Sequence, residues 1–87
     1  MKVVYKYDVE IKSCVRLRIP GGGKIIKAAL QRGILRIWAE VNTKNGDHFR
    51  YIRILATGES FPEDVYLDYI DTIFLENGLV FHIYEEI

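Results

Sequence analysis

The chain has 87 residues, an apolar content of 49%, no net formal charge and a single cysteine, which together exclude a disordered chain and a disulfide scaffold. A domain of this size buries only about 60 to 65% of its unfolded surface, so its core is marginal unless a metal ion or a second subunit contributes. A chain of this length is expected to form one domain over residues 1–87. A metal ion is not expected, because His48 and His82 lie too far apart in sequence to form a metal-ligand motif. We therefore expect the domain to gain stability by associating into a dimer or a higher homo-oligomer.

The first third of the chain is predicted to form three strands. Apolar and polar residues alternate over residues 3–11 and again over residues 14–19, as in strands with one buried face. Pro20 and the three glycines that follow it must end the second strand. Residues 24–31 have a spacing that would also suit a helical turn, but so short an isolated helix is weak. We therefore predict a third strand there, followed by a tight turn at Arg32 and Gly33.

Residues 34–42 have the clearest pattern in the chain. One face of this predicted strand is entirely apolar and consists of Leu35, Ile37, Ala39 and Val41. The opposite face places Trp38, the only tryptophan, among charged and amide side chains. A solvated strand face would be expected to carry short polar residues instead. Either a partner covers this face or a ligand uses it.

The remaining residues are predicted to add three more strands. Asn45, Gly46 and Asp47 are the strongest hairpin signal, because asparagine and glycine tolerate the positive φ that such turns need. Residues 48–56 follow with apolar residues in both phases, so both faces of this strand should be at least partly covered. After an irregular segment, residues 66–75 and 79–86 form two strands joined by a third hairpin. Seven short strands joined by hairpins predict an all-β fold, a small antiparallel β-sandwich or a partly open barrel.

The zero net charge hides an uneven distribution. All twelve lysines and arginines lie within residues 1–53, beside four acids, whereas residues 54–87 hold eight acids and no lysine or arginine. This split predicts either a basic surface for an anionic ligand or local neutralisation where strands of the two halves pair. The sequence pI near 6.7 disfavours binding to bulk DNA in both cases.

Several segments together resemble a known family. The most extensive are Ile-Pro-Gly-Gly-Gly-Lys-Ile at residues 19–25 and Gln-Arg-Gly-Ile-Leu-Arg-Ile-Trp-Ala at residues 31–39. Shorter ones lie at residues 5–7, 49–52, 56–58, 69–72 and 78–82, with Pro62 between them. In these segments the chain is similar to a family of short phage and bacterial proteins catalogued as a domain of unknown function. The resemblance implies a phage or prophage setting, and it brings no activity and no catalytic residues.

The candidate site is centred on Trp38. Arg50 should lie close to it, because the Asn45–Gly46 turn is expected to pair the two strands. An indole beside guanidinium groups suits a subunit interface, and it also suits a nucleotide-like anion whose base stacks on the ring; simple burial is a third alternative. The ligand or interface residues expected from the sequence are Trp38, Arg36, Arg50, Arg53, Gln31, Lys24, Thr57 and Gly58.

The glycine run before Lys24 could cradle a phosphate with free backbone N–H groups. It lacks the Walker spacing and the following serine or threonine, so a flexible turn is the better interpretation.

No residue set in the sequence supplies a nucleophile, a base and a stabilising group together, so we predict no enzyme, no catalytic residues, no metal and no cofactor. Cys14 lacks an evident partner base, and Ser60 lacks the second glycine of a nucleophile elbow. His82 is best interpreted as a satisfied core or interface histidine.

We expect a non-catalytic phage-type interaction protein that self-associates and binds a protein partner, such as a host defence factor. The alternative is a small-molecule binder that sequesters a nucleotide signal in a basic aromatic pocket. The charged, alternating N-terminus predicts neither a signal peptide nor a membrane segment, and the lone Cys14 favours the cytoplasm.

Overall fold

The computed structural model describes residues 1–87 and contains only β-strands, turns and irregular segments. Seven strands follow one another along the chain: β1 (Lys2–Val9), β2 (Cys14–Pro20), β3 (Lys24–Gln31), β4 (Ile34–Asn42), β5 (Asp47–Ala56), β6 (Leu67–Phe74) and β7 (Val80–Glu86). The bounds agree closely with the predicted strands, and residues 24–31 form a strand rather than a helical turn. The structure has no helix of the length and apolar character needed to cross a membrane.

The strands form two antiparallel sheets that pack face to face. A three-stranded sheet has the order β1-β4-β3, and a four-stranded sheet has the order β2-β5-β7-β6. The predicted all-β sandwich is therefore confirmed, and the sheets do not close into a barrel. The molecule measures 40 × 34 × 16 Å, so its two outer sheet faces are broad.

The core lies between the two sheets and follows from the alternation of side chains along each strand. The predicted core face of β4 is confirmed, because every alternate residue from Leu35 to Val41 is buried. The complete core cluster consists of Val9, Leu17, Ile19, Ala28, Leu35, Ile37, Ala39, Val41, Ile52, Ile54, Ile73 and Ile83. On β5 the second phase is only partly covered, since Leu55 is buried whereas Phe49 and Tyr51 are exposed. Both faces of β5 therefore carry apolar side chains, as predicted.

Two of the three predicted hairpins are confirmed. Arg32 and Gly33 connect β3 to β4 with φ values of 53° and 78°, which fits the two left-handed positions of a type I′ turn. Residues 75–79 connect β6 to β7, with Gly78 at a φ of 88°.

The predicted hairpin at Asn45 and Gly46 is wrong. β4 and β5 belong to different sheets, so this segment carries the chain from one sheet to the other. Both edges of β4 are already occupied by β1 and β3, which leaves no free edge for β5. The segment is held instead by the β2–β3 turn: Asn45 Nδ2 donates to the Gly21 carbonyl at 2.7 Å, and the Gly21 N–H donates to the Gly46 carbonyl at 2.8 Å.

The edge strands β3 and β6 are joined across the sandwich by the carboxylate of Asp71. A bulge at Ile70 shifts the register of β6, so that Asp71 lies opposite the buried Ile83 and faces β3. Its Oδ2 atom accepts hydrogen bonds from the Ala28 N–H at 3.3 Å and from the Lys27 ammonium at 2.9 Å. This carboxylate satisfies a donor of an edge strand that no neighbouring strand reaches.

The environment of Asp71 also sets its charge state. Burial alone would raise the pKa of the carboxyl, but hydrogen bonds from Lys27, the Thr72 N–H and the Ala28 N–H outweigh burial and lower the pKa below its ordinary value of 3.8. The charged form is therefore the one that stabilises the fold.

We expect Asp71→Asn to lower the free energy of unfolding by roughly 1–2 kcal/mol at neutral pH, because the charged hydrogen bond to Lys27 is lost. Since the folded pKa is depressed, this stabilisation is present above about pH 4 and disappears as the pH falls through the folded pKa. Urea unfolding at pH 7 and at a series of pH values descending from 4 measures both effects. The exposed Asp68→Asn serves as control, and a difference from wild type that persists unchanged in acid would contradict the assignment.

Candidate functional site

Trp38 lies on the outer face of the three-stranded sheet, as the alternation of β4 predicts. It is half-buried, and its direct cross-strand neighbours are Lys6 on β1 and Lys27 on β3. The indole thus lies between two lysines on the outer face of the sheet, which is partly exposed to solvent. Part of the side chain is therefore accessible to a partner or a ligand.

Arg36 lies on the same face, two residues before Trp38. Its side chain is only 16% exposed, and its Nε atom is 3.3 Å from Asp8 Oδ1. The angles do not allow a hydrogen bond, so Nε is buried without a hydrogen-bond partner. Asp8 itself is largely exposed and offers limited compensation for the buried guanidinium.

A depression of about 260 Å³ opens beside Arg36. Its lining consists of Lys6, Gln31, Arg32 and Arg36, and we call it the basic depression. The Lys6 ammonium donates a long hydrogen bond of 3.4 Å to Gln31 Oε1. Three cationic side chains and one amide thus surround a space whose lining holds no carboxylate and no apolar residue.

Arg50 does not lie near Trp38. It belongs to the four-stranded sheet, where its guanidinium forms a bidentate ion pair with Glu85, using Nε and, at 2.9 Å, Nη2. Nη1 donates to the Gly23 carbonyl at 2.6 Å. The hydrogen bond with Glu85 raises the pKa of Arg50 against the opposing effect of burial. The expected proximity to Trp38 is wrong because it rested on the β4–β5 hairpin, and all three donor nitrogens of Arg50 are engaged within the fold.

Three further predicted residues also lie on the four-stranded sheet or at its end. Arg53 pairs with Glu86 at 2.7 Å on the outer face of that sheet. The Thr57 hydroxyl is 2.8 Å from His82 Nε2, and Gly58 adopts a φ of 90° in the turn that follows. The structure therefore does not bring them to the indole.

The glycine run forms a tight, occupied turn. The N–H groups of Gly21 and Gly23 donate to the carbonyls of Gly46 and Pro20, so they are not free to bind a phosphate. A Cβ atom at Gly23 would stand 2.8 Å from Ile19, which explains why glycine is needed there. Lys24 follows on the outer face of the three-stranded sheet, opposite Glu40.

Sequence reasoning missed an array of aromatic side chains on the outer face of the four-stranded sheet. We call it the aromatic face, and it consists of Phe49, Tyr51, Phe61, Tyr69 and Tyr84. Tyr84 stands at its centre, with the rings of Phe61 at 5.2 Å and Tyr69 at 5.6 Å in edge-to-face geometry. The Arg16 guanidinium lies 4.2 Å from the centre of the Phe49 ring. The available signal was the second apolar phase of β5, but the tyrosines of β6 and β7 join it only through strand pairing.

His82 is held on both ring nitrogens beside this face. Nε2 contacts the Thr57 hydroxyl, and Nδ1 lies 3.1 Å from the Thr72 hydroxyl, which in turn contacts the Tyr69 hydroxyl at 2.7 Å. The imidazole is thus a satisfied structural group, in line with its interpretation from the sequence.

The largest cleft, of about 480 Å³, lies between the ends of the β3–β4 and β6–β7 hairpins and contains none of the predicted site residues. Nowhere do three or more His, Cys, Asp or Glu side chains gather to hold a metal ion.

The family model described as Domain of unknown function (DUF7352) matches residues 1–87, which is the whole chain. The chain belongs to this family. No curated protein and no solved structure matches it. The predicted resemblance to a domain of unknown function is therefore confirmed. The phage or bacterial setting stays a prediction.

The geometry assigns Arg50 of this DUF7352 domain a structural role. We expect Arg50→Ala to lower the free energy of unfolding by about 2–3 kcal/mol, because Glu85 and the Gly23 carbonyl would lose their charged donor in a half-buried setting.

Arg18→Ala is the matched control for Arg50→Ala. It removes an arginine that is 70% exposed and 4.0 Å from Asp47, and it should change the stability by less than about 1 kcal/mol. Chemical denaturation measures both variants, and equal losses would contradict the role of Arg50.

Proposed function

We propose that this protein is a non-catalytic binding protein that associates with itself through the aromatic face. The main support is the balance between buried and exposed apolar side chains. Only 15 of the 87 residues are buried, whereas thirteen large hydrophobic side chains are exposed. Four of the thirteen, Phe49, Tyr51, Phe61 and Tyr69, lie together on the aromatic face. A contiguous apolar patch of this kind is typical of a surface that a partner covers.

The aromatic face has the composition of an interface centre. Tyrosine, phenylalanine and arginine are enriched in protein–protein interfaces, and aromatic rings bury much area with little loss of side-chain entropy. Tyr69 is 59% exposed and Phe49 is 47% exposed, so both offer area to a second molecule. Tyr84 is fixed between two rings, which prepares the centre of the face for contact.

The ionisable groups with the strongest partners support a non-catalytic role. Arg50, Arg53 and Asp71 are each engaged with an oppositely charged side chain in contacts that hold strands or sheets together. Groups used in this way stabilise the fold and are not free to exchange protons with a substrate.

The proposal extends to a protein partner. In the phage setting that the family resemblance implies, this partner is a protein of the host, such as a defence factor, and the protein acts in the host cytoplasm. The surface that remains once the aromatic face is covered includes Trp38 and the outer face of the three-stranded sheet, where such a partner would bind.

Native mass spectrometry tests the self-association at micromolar concentration. We expect a mass that is a multiple of the 10.1 kDa chain. The double variant Phe49→Ser with Tyr69→Ser should weaken the association by at least about tenfold, as for substitution of residues at an interface centre. Both side chains are exposed, so the variant should fold.

Ile26→Ser is the matched control, because it removes a comparably exposed apolar side chain from the bulge of β3 on the other sheet. It should leave the association unchanged. A wild-type monomer would overturn the proposal. A stable oligomer that Trp38→Ala disperses and the aromatic-face variant does not would also overturn it, because the interface would then lie on the three-stranded sheet.

A further inference from the structure

We infer that the basic depression binds a doubly charged phosphate group carried by a small molecule. This inference is independent of the proposed self-association, since it concerns the opposite sheet. Its starting point is the donor set: the ammonium of Lys6, the guanidinium groups of Arg32 and Arg36, and the amide of Gln31. Guanidinium forks and ammonium groups are the side chains that match phosphate oxygens in geometry and charge.

The positive charges of the depression are weakly compensated within the protein. Lys6 has only its long hydrogen bond to Gln31, and Arg32 makes neither an ion pair nor a side-chain hydrogen bond. Arg36 has one exposed carboxylate nearby, that of Asp8, without a hydrogen bond between them. An anion in the depression would therefore offset the mutual repulsion of three cations and the burial of Arg36.

The type I′ turn between β3 and β4 places Arg32 beside the depression. The Arg32 φ of 53° lies in the left-handed region, where glycine or asparagine would sit without strain. The turn itself requires no side chain at this position. Arg32 therefore occupies a position where glycine is the usual residue, and its side chain lines the depression, so it can be replaced by glycine without cost to the turn.

The size of the depression and its neighbour define the class of ligand. A space of about 260 Å³ lies below the usual 300–1,000 Å³ of sites for whole drug-sized ligands, so it accommodates the phosphate group and not an entire nucleotide. Trp38 continues the same face, directly opposite Lys6. Its ring offers a surface on which a base or another flat group attached to the phosphate can stack. The expected ligand is thus a phosphate monoester, with inorganic phosphate as the minimal form.

Isothermal titration at low ionic strength, where charge interactions are least screened, tests the site with inorganic phosphate, AMP and adenosine. Phosphate and AMP should bind, AMP the more tightly, and adenosine should not. If inorganic phosphate binds as tightly as AMP, the phosphate site stands and the stacking on Trp38 is wrong. No binding of either phosphate compound at millimolar concentration would overturn the inference, as would adenosine binding as tightly as AMP.

Arg32→Gly separates binding from folding. Glycine suits the left-handed turn, so the thermal midpoint of unfolding should equal or exceed that of wild type, while the affinity for AMP should fall by about tenfold or more. Lys6→Gln, which keeps a hydrogen-bonding side chain and removes the charge, should weaken binding in the same way. Lys44→Ala removes an exposed cation from the β4–β5 segment and should leave the affinity unchanged. Equal weakening by Arg32→Gly and Lys44→Ala would show that only net charge matters and would overturn the site.

Discussion

The packing of the two inner sheet faces against each other is the interaction on which the other features of the structure depend. A chain of 87 residues can build only one layer of core, and here that layer is lined by short aliphatic side chains from both sheets. Because side chains alternate along a strand, every inward residue that completes this layer turns its neighbours to one of the two outer faces. The outer faces are therefore a direct consequence of the core, and they hold most of the chemistry.

Charged groups complete the sandwich where apolar packing ends. Three ion pairs join the basic half of the chain to the acidic half: Lys27 with Asp71, Arg50 with Glu85 and Arg53 with Glu86. The interpretation of local neutralisation therefore applies at these places, since strands from the two halves do meet there. It does not apply around Arg32 and Lys6, whose neighbourhood includes no acid from the second half. The uneven charge distribution thus serves both to join strands and to leave one basic depression with only the weak compensation that Asp8 offers.

The two outer faces differ in a way that supports a division of roles. The face of the four-stranded sheet is aromatic, and Arg16 stacks on its Phe49 ring, a composition that favours contact with another protein surface. The face of the three-stranded sheet combines Trp38 with lysines and arginines around a small concavity, which favours an anion. Since the faces lie on opposite sides of the sandwich, self-association through the aromatic face leaves the three-stranded sheet open. There the phosphate ligand and the proposed protein partner would share the surface around Trp38. Self-association and ligand binding can therefore coexist in one small domain.

Local patterns in the sequence determined the strands, the core face of β4, the outward position of Trp38 and the turn at Arg32 and Gly33. These features depend on alternation and on turn residues, which act over a few neighbouring positions. Only the tertiary structure decided which strands pair. A turn signal such as Asn45 and Gly46 cannot report that β1 and β3 already occupy both edges of β4, and for this reason Arg50 was assigned to the wrong surface. The aromatic face and the basic depression were likewise beyond the sequence, because residues as distant as Lys6 and Arg32 become neighbours only through non-local strand pairing.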